Sequence, residues 1–200
     1  MWPADRSRVG SGAVKNKLAA ALSVTAVILA TGSLSGCGDG NKELDAWAKT
    51  VCDQASAQVK KINDANTHIS NTPSNAKPKD VRSADSTAFG QISDAYKALA
   101  GIVGKAGDPP VDNGAKLKQD AVGDLNSLST AYANLRKQVD ALPVSDQAKF
   151  ADGLKSVSDN LAKVSKSGEQ ALDTLRQGEV GQAMAKQPGC QDSAAKPSKS

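Results

Sequence analysis

Histidine occurs once in this chain of 200 residues, cysteine three times, and aromatic residues make up 3% of it. Each scarcity removes a class of chemistry. A serine hydrolase needs a histidine beside a carboxylate to activate its nucleophile, and the lone His68 stands near the end of a helical pattern. A di-iron site between helices needs several inward glutamates and Glu-x-x-His pairs. The glutamates here are Glu43, Glu169 and Glu179, and none is followed three residues later by histidine. Covalently attached haem needs Cys-x-x-Cys-His, which is absent. No glycine-rich loop follows a strand pattern, so phosphate-cradling motifs are missing too. The residues therefore predict no catalytic group, no cofactor and no metal, with His68 a solvated surface residue.

Long apolar runs are also scarce. The main one, Leu18 to Ala30, is 13 residues long. That falls short of the ~20 residues a bilayer-spanning helix needs and fits the roughly 7–15 of a secretory signal core. Arg6, Arg8, Lys15 and Lys17 precede it against one acid, Asp5, and Thr31-Gly32-Ser33 breaks it. Leu34-Ser35-Gly36-Cys37 follows. Small residues at 35 and 36 open the backbone to a peptidase, and the cysteine supplies a thiol. Basic, then apolar, then small, then cysteine: this layout resembles the substrates of bacterial lipoprotein signal peptidase.

The resemblance covers about the first 37 residues. It implies that residues 1–36 are a signal peptide with its lipobox at 34–37. Cys37 would become the first residue of the mature chain and carry a diacylglyceryl group with acyl chains such as palmitate. The rest would sit on the outer face of the cytoplasmic membrane. No twin-arginine pair precedes the core, so export is expected through the general secretory route. Met1 to Ala13 read as a polar extension, and translation is expected to begin at Val14.

Taking residues 1–36 away removes four Lys/Arg and one Asp, which leaves 21 bases, 20 acids and a net charge of +1. Interspersed charges of both signs describe a solvated helical surface, with no basic patch to recommend nucleic acid. Lys60-Lys61 read as part of that face. With Cys37 lipidated, Cys52 and Cys190 remain. Outside the cytoplasm two cysteines usually pair, so a Cys52–Cys190 disulfide is expected.

The mature region reads as helices throughout. After a short tether, 37–41, apolar residues recur at three and four from about Lys42 to Ser70, through Leu44, Ala48, Val51, Cys52, Ala55, Val59, Ile62, Ala65 and Ile69. That spacing puts them on one helical face. A Pro-containing loop, 71–79, leads to a second segment from about Asp80, its expected N-cap, to Ala106. Its stripe is Val81, Ala84, Ala88, Ile92, Tyr96, Leu99 and Val103. Gly107-Asp108-Pro109-Pro110 ends it. The third segment, about 112–142, carries Ala121, Leu125, Leu128, Tyr132, Leu135, Val139 and Leu142 at strict 4-3 spacing. Ser145 is expected to cap a fourth, reaching about Lys186 through Phe150, Leu154, Val157, Leu161, Val164, Gly168, Ala171 and Leu175.

Four long amphipathic helices with short connections predict an all-α chain. Its expected arrangement is an up-down-up-down four-helix bundle over 42–190 with coiled-coil-like packing, followed by a disordered tail at 191–200. In that topology both chain ends meet at one pole, where the disulfide would join them. Trp47 should flank the core beside Leu44 and Val51.

Layout and style resemble the small secreted lipoproteins of actinobacteria. The expected role is a non-enzymatic binding or interaction module of the cell envelope, held to the membrane through Cys37 and engaging an envelope protein or wall component. Two further readings stand beside it: a sensor or carrier holding a small apolar ligand between helices, and an enzyme inhibitor.

Overall fold

The computed structural model describes residues 39–73, 75–176 and 178–191, with side chains described from Lys42 onward except at 169–176. The chain divides into two units, Met1–Leu34 and Ser35–Ser200, and every described residue lies in the second. The expected signal peptide, the lipobox and the Asp192–Ser200 part of the expected tail lie outside the described residues. Among those residues the fold is all-α, with no strand.

Helix α1 spans Asp39–Ser70. It therefore already contains Asp39-Gly40-Asn41, which the sequence reading gave to the tether. Its buried stripe is the expected one: Leu44, Ala48, Val51, Cys52, Ala55 and Ala65 are buried, with Ile62 and Ile69 packed at the edge. Helix α2 spans Pro78–Lys105. Pro78 opens it because proline's fixed φ suits the first turn and its missing N–H would be unpaired there anyway. Asp80 is not the N-cap. It sits one turn in, where its carboxylate still meets the positive end of the helix dipole.

The second helix buries more than one stripe. Asp85, Phe89, Ser93, Ala95 and Ala100 are buried alongside Ala88, Ile92 and Leu99. The reason is that α2 packs against both α1 and α3, so a single-stripe reading captures only part of its covered surface. Helix α3 spans Gly114–Asp140. It opens at Gly114, where any Cβ would collide with the carbonyl oxygen of Pro109.

Helix α4 spans Gln147–Arg176, shorter than expected at both ends. Its cap is Asp146, whose Oδ1 accepts the backbone N–H of Lys149 at 3.1 Å; the sequence reading chose the neighbouring Ser145. That hydrogen bond also pulls the Asp146 carboxyl below its ordinary range. The fourth segment is not one helix to Lys186. Gly178 adopts φ +78°, a left-handed conformation open to glycine, and a new helix, α5, runs from Gly178 to Ala185. One turn, α6, follows over Pro188–Gln191.

Neighbouring helices run antiparallel. Along α2 and α3, Arg82 reaches the Leu142 carbonyl, Gly90 faces Arg136, and Ser93 bonds Ser129, so one number falls as the other rises. The same holds for α3 and α4: Leu142 against Gly153, Gln138 against Asn160, Leu128 against Gly168. Trp47 near the start of α1 meets Gly107 just past the end of α2.

The main core collects Ala65 from α1, Ala88, Phe89 and Ile92 from α2, Tyr132, Leu135 and Val139 from α3, and Val157 from α4. Alanine at two of these positions, Ala65 and Ala88, lets helices approach closely, at the cost of less apolar area per residue. Ser93, buried between α2 and α3, donates its hydroxyl to the Ser129 carbonyl at 2.8 Å, so its burial leaves no orphaned group.

Tyr132 stacks on Tyr96 with centroids 5.6 Å apart. Burial pushes its phenol up to about 12, the neighbouring Tyr96 adds to this, and a hydrogen bond with Ser165 opposes it. A pKa raised in the folded state means stability is complete below the ordinary phenol value and is lost as pH rises past it. Unfolding by denaturant is therefore expected to become easier between pH 10 and about 12, by up to about 2–3 kcal/mol. Tyr132→Phe should flatten that part of the profile, and an unchanged slope would show the phenol to be well solvated.

Candidate functional site

Two regions outside the main core gather unusual residues. The first is the pole where α1 begins and where α5 and α6 return to it. Cys52 lies on the inner face of α1 with no exposed surface. It is disulfide-bonded to Cys190 of α6, with Cα atoms 5.0 Å apart, an ordinary separation for a bridge. The expected pairing is thus present, and it closes a sequence separation of 138 residues.

The geometry that brings α6 to α1 depends on Gly189. A Cβ built there would lie 2.6 Å from the Cys52 carbonyl oxygen and 2.8 Å from its carbon. Those atoms are backbone inside a helix and cannot yield cheaply. Gly189→Ala is expected to push α6 off α1, lowering the thermal midpoint and exposing the bridge to reductant. Equal midpoints and equal reduction rates for the variant and the parent would contradict this.

Around the bridge the last helices grip α1. Lys186 Nζ lies 3.4 Å from Asp45 Oδ1, and Gln187 Nε2 donates to the Asp45 carbonyl at 3.5 Å. A second buried cluster, Leu44 and Ala48 of α1 with Val180 and Ala183 of α5, sits beneath; Trp47, Val111, Leu117 and Met184 rim it. Trp47 flanks Leu44 as expected and does more. Its indole Nε1 donates to the Gly107 carbonyl at 3.2 Å and ties α1 to the α2–α3 connection. No residue pattern points to that bond, because its acceptor is a backbone oxygen.

The second region is the outward face of α3, where Asn126, Ser127, Thr130, Ala131 and Asn134 line an open hollow. The Asn, Ser and Thr side chains can donate and accept hydrogen bonds, but none titrates near neutral pH or acts as an activated nucleophile. The hollow is a polar surface feature of one helix.

Other chemistry-bearing residues are scattered. His68 is exposed at the end of α1. Burial raises the pKa of Asp85, a carboxyl 8% exposed on α2, and the nearby His68 partly offsets that rise. Lys60 pairs with Asp64 one turn along, and Lys61 donates to Gln58. Lys49–Asp53, Lys116–Asp120 and Lys155–Asp159 repeat the exposed pairing. Such pairs contribute little stability, but they neutralise the surface locally. Among the described residues no three of His, Cys, Asp and Glu gather as a metal would require. None of the described helices is long and apolar enough to cross a membrane.

Cys37, with Leu34, Ser35 and Gly36, lies outside the described residues. Of the residues singled out from the sequence, the structure therefore brings together Cys52 and Cys190. Comparison with protein-family models, with curated proteins and with solved structures finds no match for this chain.

Proposed function

We propose that this chain is a lipid-anchored extracytoplasmic protein, a non-enzymatic binding or interaction module of the cell envelope. The observation that carries the reading is the ordered run of basic residues, 13 apolar residues and Leu34-Ser35-Gly36-Cys37. The Cys52–Cys190 bridge supports it, because stable disulfides belong to oxidising compartments outside the cytoplasm. Cys37 takes the lipid, and the domain stays at the outer face of the cytoplasmic membrane.

In this reading α1 to α4 form an up-down-up-down four-helix bundle with coiled-coil-like seams. The antiparallel neighbours and the 4-3 spacing of α3 support that arrangement. The bundle serves as a rigid body presenting helix faces and the far loops at 71–77 and 141–146 to a partner. A single lipid chain pair confines that search to the membrane plane.

Cys37→Ser tests the anchoring. The variant is expected to leave the membrane fraction of its host and appear in the soluble extracytoplasmic or culture fraction. Crosslinking in intact cells then reads the partners, which should be lost or sharply reduced in the untethered variant. Retention of the variant in membranes, or an unchanged set of partners, would contradict the reading.

A further inference from the structure

The apolar rim at the disulfide-tied pole is only half-buried, although it surrounds a fully packed cluster. Trp47, Val111, Leu117 and Met184 come from α1, the α2–α3 connection, α3 and α5, and share this one place. All four pack against the same small buried cluster while keeping part of their apolar surface exposed. We infer that this rim rests on the lipid surface beside the anchor, so that the domain lies against the bilayer rather than swinging freely above it. The inference rests on the anchoring proposed above.

Tether length is the first argument. Helix α1 begins at Asp39, two residues past Cys37. Two residues reach at most about 7 Å, which is comparable to the headgroup zone flanking a ~30 Å hydrocarbon core. Trp47 lies eight residues further, or about 12 Å along the helix. Tilting α1 toward the bilayer plane brings the rim to headgroup level without stretching the chain.

Chemistry is the second. The polar atom of Trp47 is already satisfied by Gly107, so covering the exposed part of its ring with lipid leaves no N–H group unpaired. Charge is the third. Lys49, Lys116, Lys118 and Lys186 at this end each pair with an aspartate: Asp53, Asp120, Asp108 and Asp45. With these four cations paired, attraction to anionic lipid is a minor contribution at this pole. Contact should therefore be apolar, and it should form on uncharged vesicles.

The test uses the processed lipoprotein, in which Trp47 is the sole tryptophan because Trp2 lies in the segment removed. The protein is purified from its host, its intact mass is checked for lipid on Cys37, and it is reconstituted in phosphatidylcholine vesicles carrying a quencher near the headgroup. Trp47 emission is expected to be roughly halved relative to unlabelled vesicles and to stay so in high salt. A reporter moved to the opposite pole, in the Trp47→Phe and His68→Trp double variant, should be unaffected. The same readout on Val111→Asp with Met184→Asp should show Trp47 quenching lost while helicity is retained. A correct mass with Trp47 no more quenched than the distal reporter overturns the lipid contact alone and leaves the rim to a protein partner. A mass without the lipid overturns the anchoring, and the contact with it.

Discussion

Replacing Cys190 with serine is expected to cost about 4–5 kcal/mol of stability in the chain-entropy account, because the bridge closes a sequence separation of 138 residues. Strain in the folded state would lower that figure. Cys190 is the better position to change. It is half-exposed, whereas Cys52 is fully buried and a serine there would place a hydroxyl against apolar neighbours. The loss should show as a lower urea midpoint for Cys190→Ser, reproduced in the parent by a reductant and absent from the variant when reductant is added. Release should begin locally. Helices α5 and α6 hold α1 through a small cluster, the Asp45 contacts and the bridge, so amides of 178–191 should exchange faster before the main core weakens. A variant with the parent's midpoint would mean that the bridge constrains nothing the fold does not already hold.

Ile92→Ala should be comparably damaging. Ile92 has no exposed surface and lies among residues of α1, α2, α3 and α4. Removing three carbons from such a site forfeits their transfer energy and leaves a cavity, typically about 2–5 kcal/mol. The upper part of that range applies if the helices cannot close in. Here they already meet through Ala65 and Ala88, so little further approach is available. Leu161→Ala, at a half-buried edge of the same cluster, should cost clearly less. Chemical denaturation of both variants beside the parent decides the matter; equal losses would show that the core is not organised around Ile92.

The helices were legible in the sequence because their apolar residues keep one spacing over many turns. The stripes of α1 and α3 are the buried ones almost residue for residue. Where the reading failed, a three-dimensional neighbour decided. Helix α2 is covered by two partners, so Asp85, Phe89 and Ser93 are buried although they lie off the single stripe. Position 178 breaks the fourth segment, while Gly90, Gly101, Gly104, Gly123, Gly153 and Gly168 all remain helical. Nothing local distinguishes these glycines. Leaving the helix at Gly178 allows α5 and α6 to turn onto α1 and place Cys190 beside Cys52. The caps show a finer version of the same problem. Ser145 and Asp146 are both good capping residues, and only the position of the Lys149 N–H chooses between them.

The candidate site divides the same way. Cysteine pairing followed from count and compartment before any fold was known. The rim of Trp47, Val111, Leu117 and Met184 did not, because it is assembled from four elements far apart in the chain. The role of Gly189 as the point of closest approach to the Cys52 backbone needs both helices in place.

The most direct test of the account is the intact mass of the protein extracted from the membranes of its own host. The account predicts a chain beginning at Cys37, heavier by a diacylglyceryl group and lighter by two hydrogens for the Cys52–Cys190 bond. A mass that retains residues 14–36, or that shows an unmodified Cys37, would contradict it.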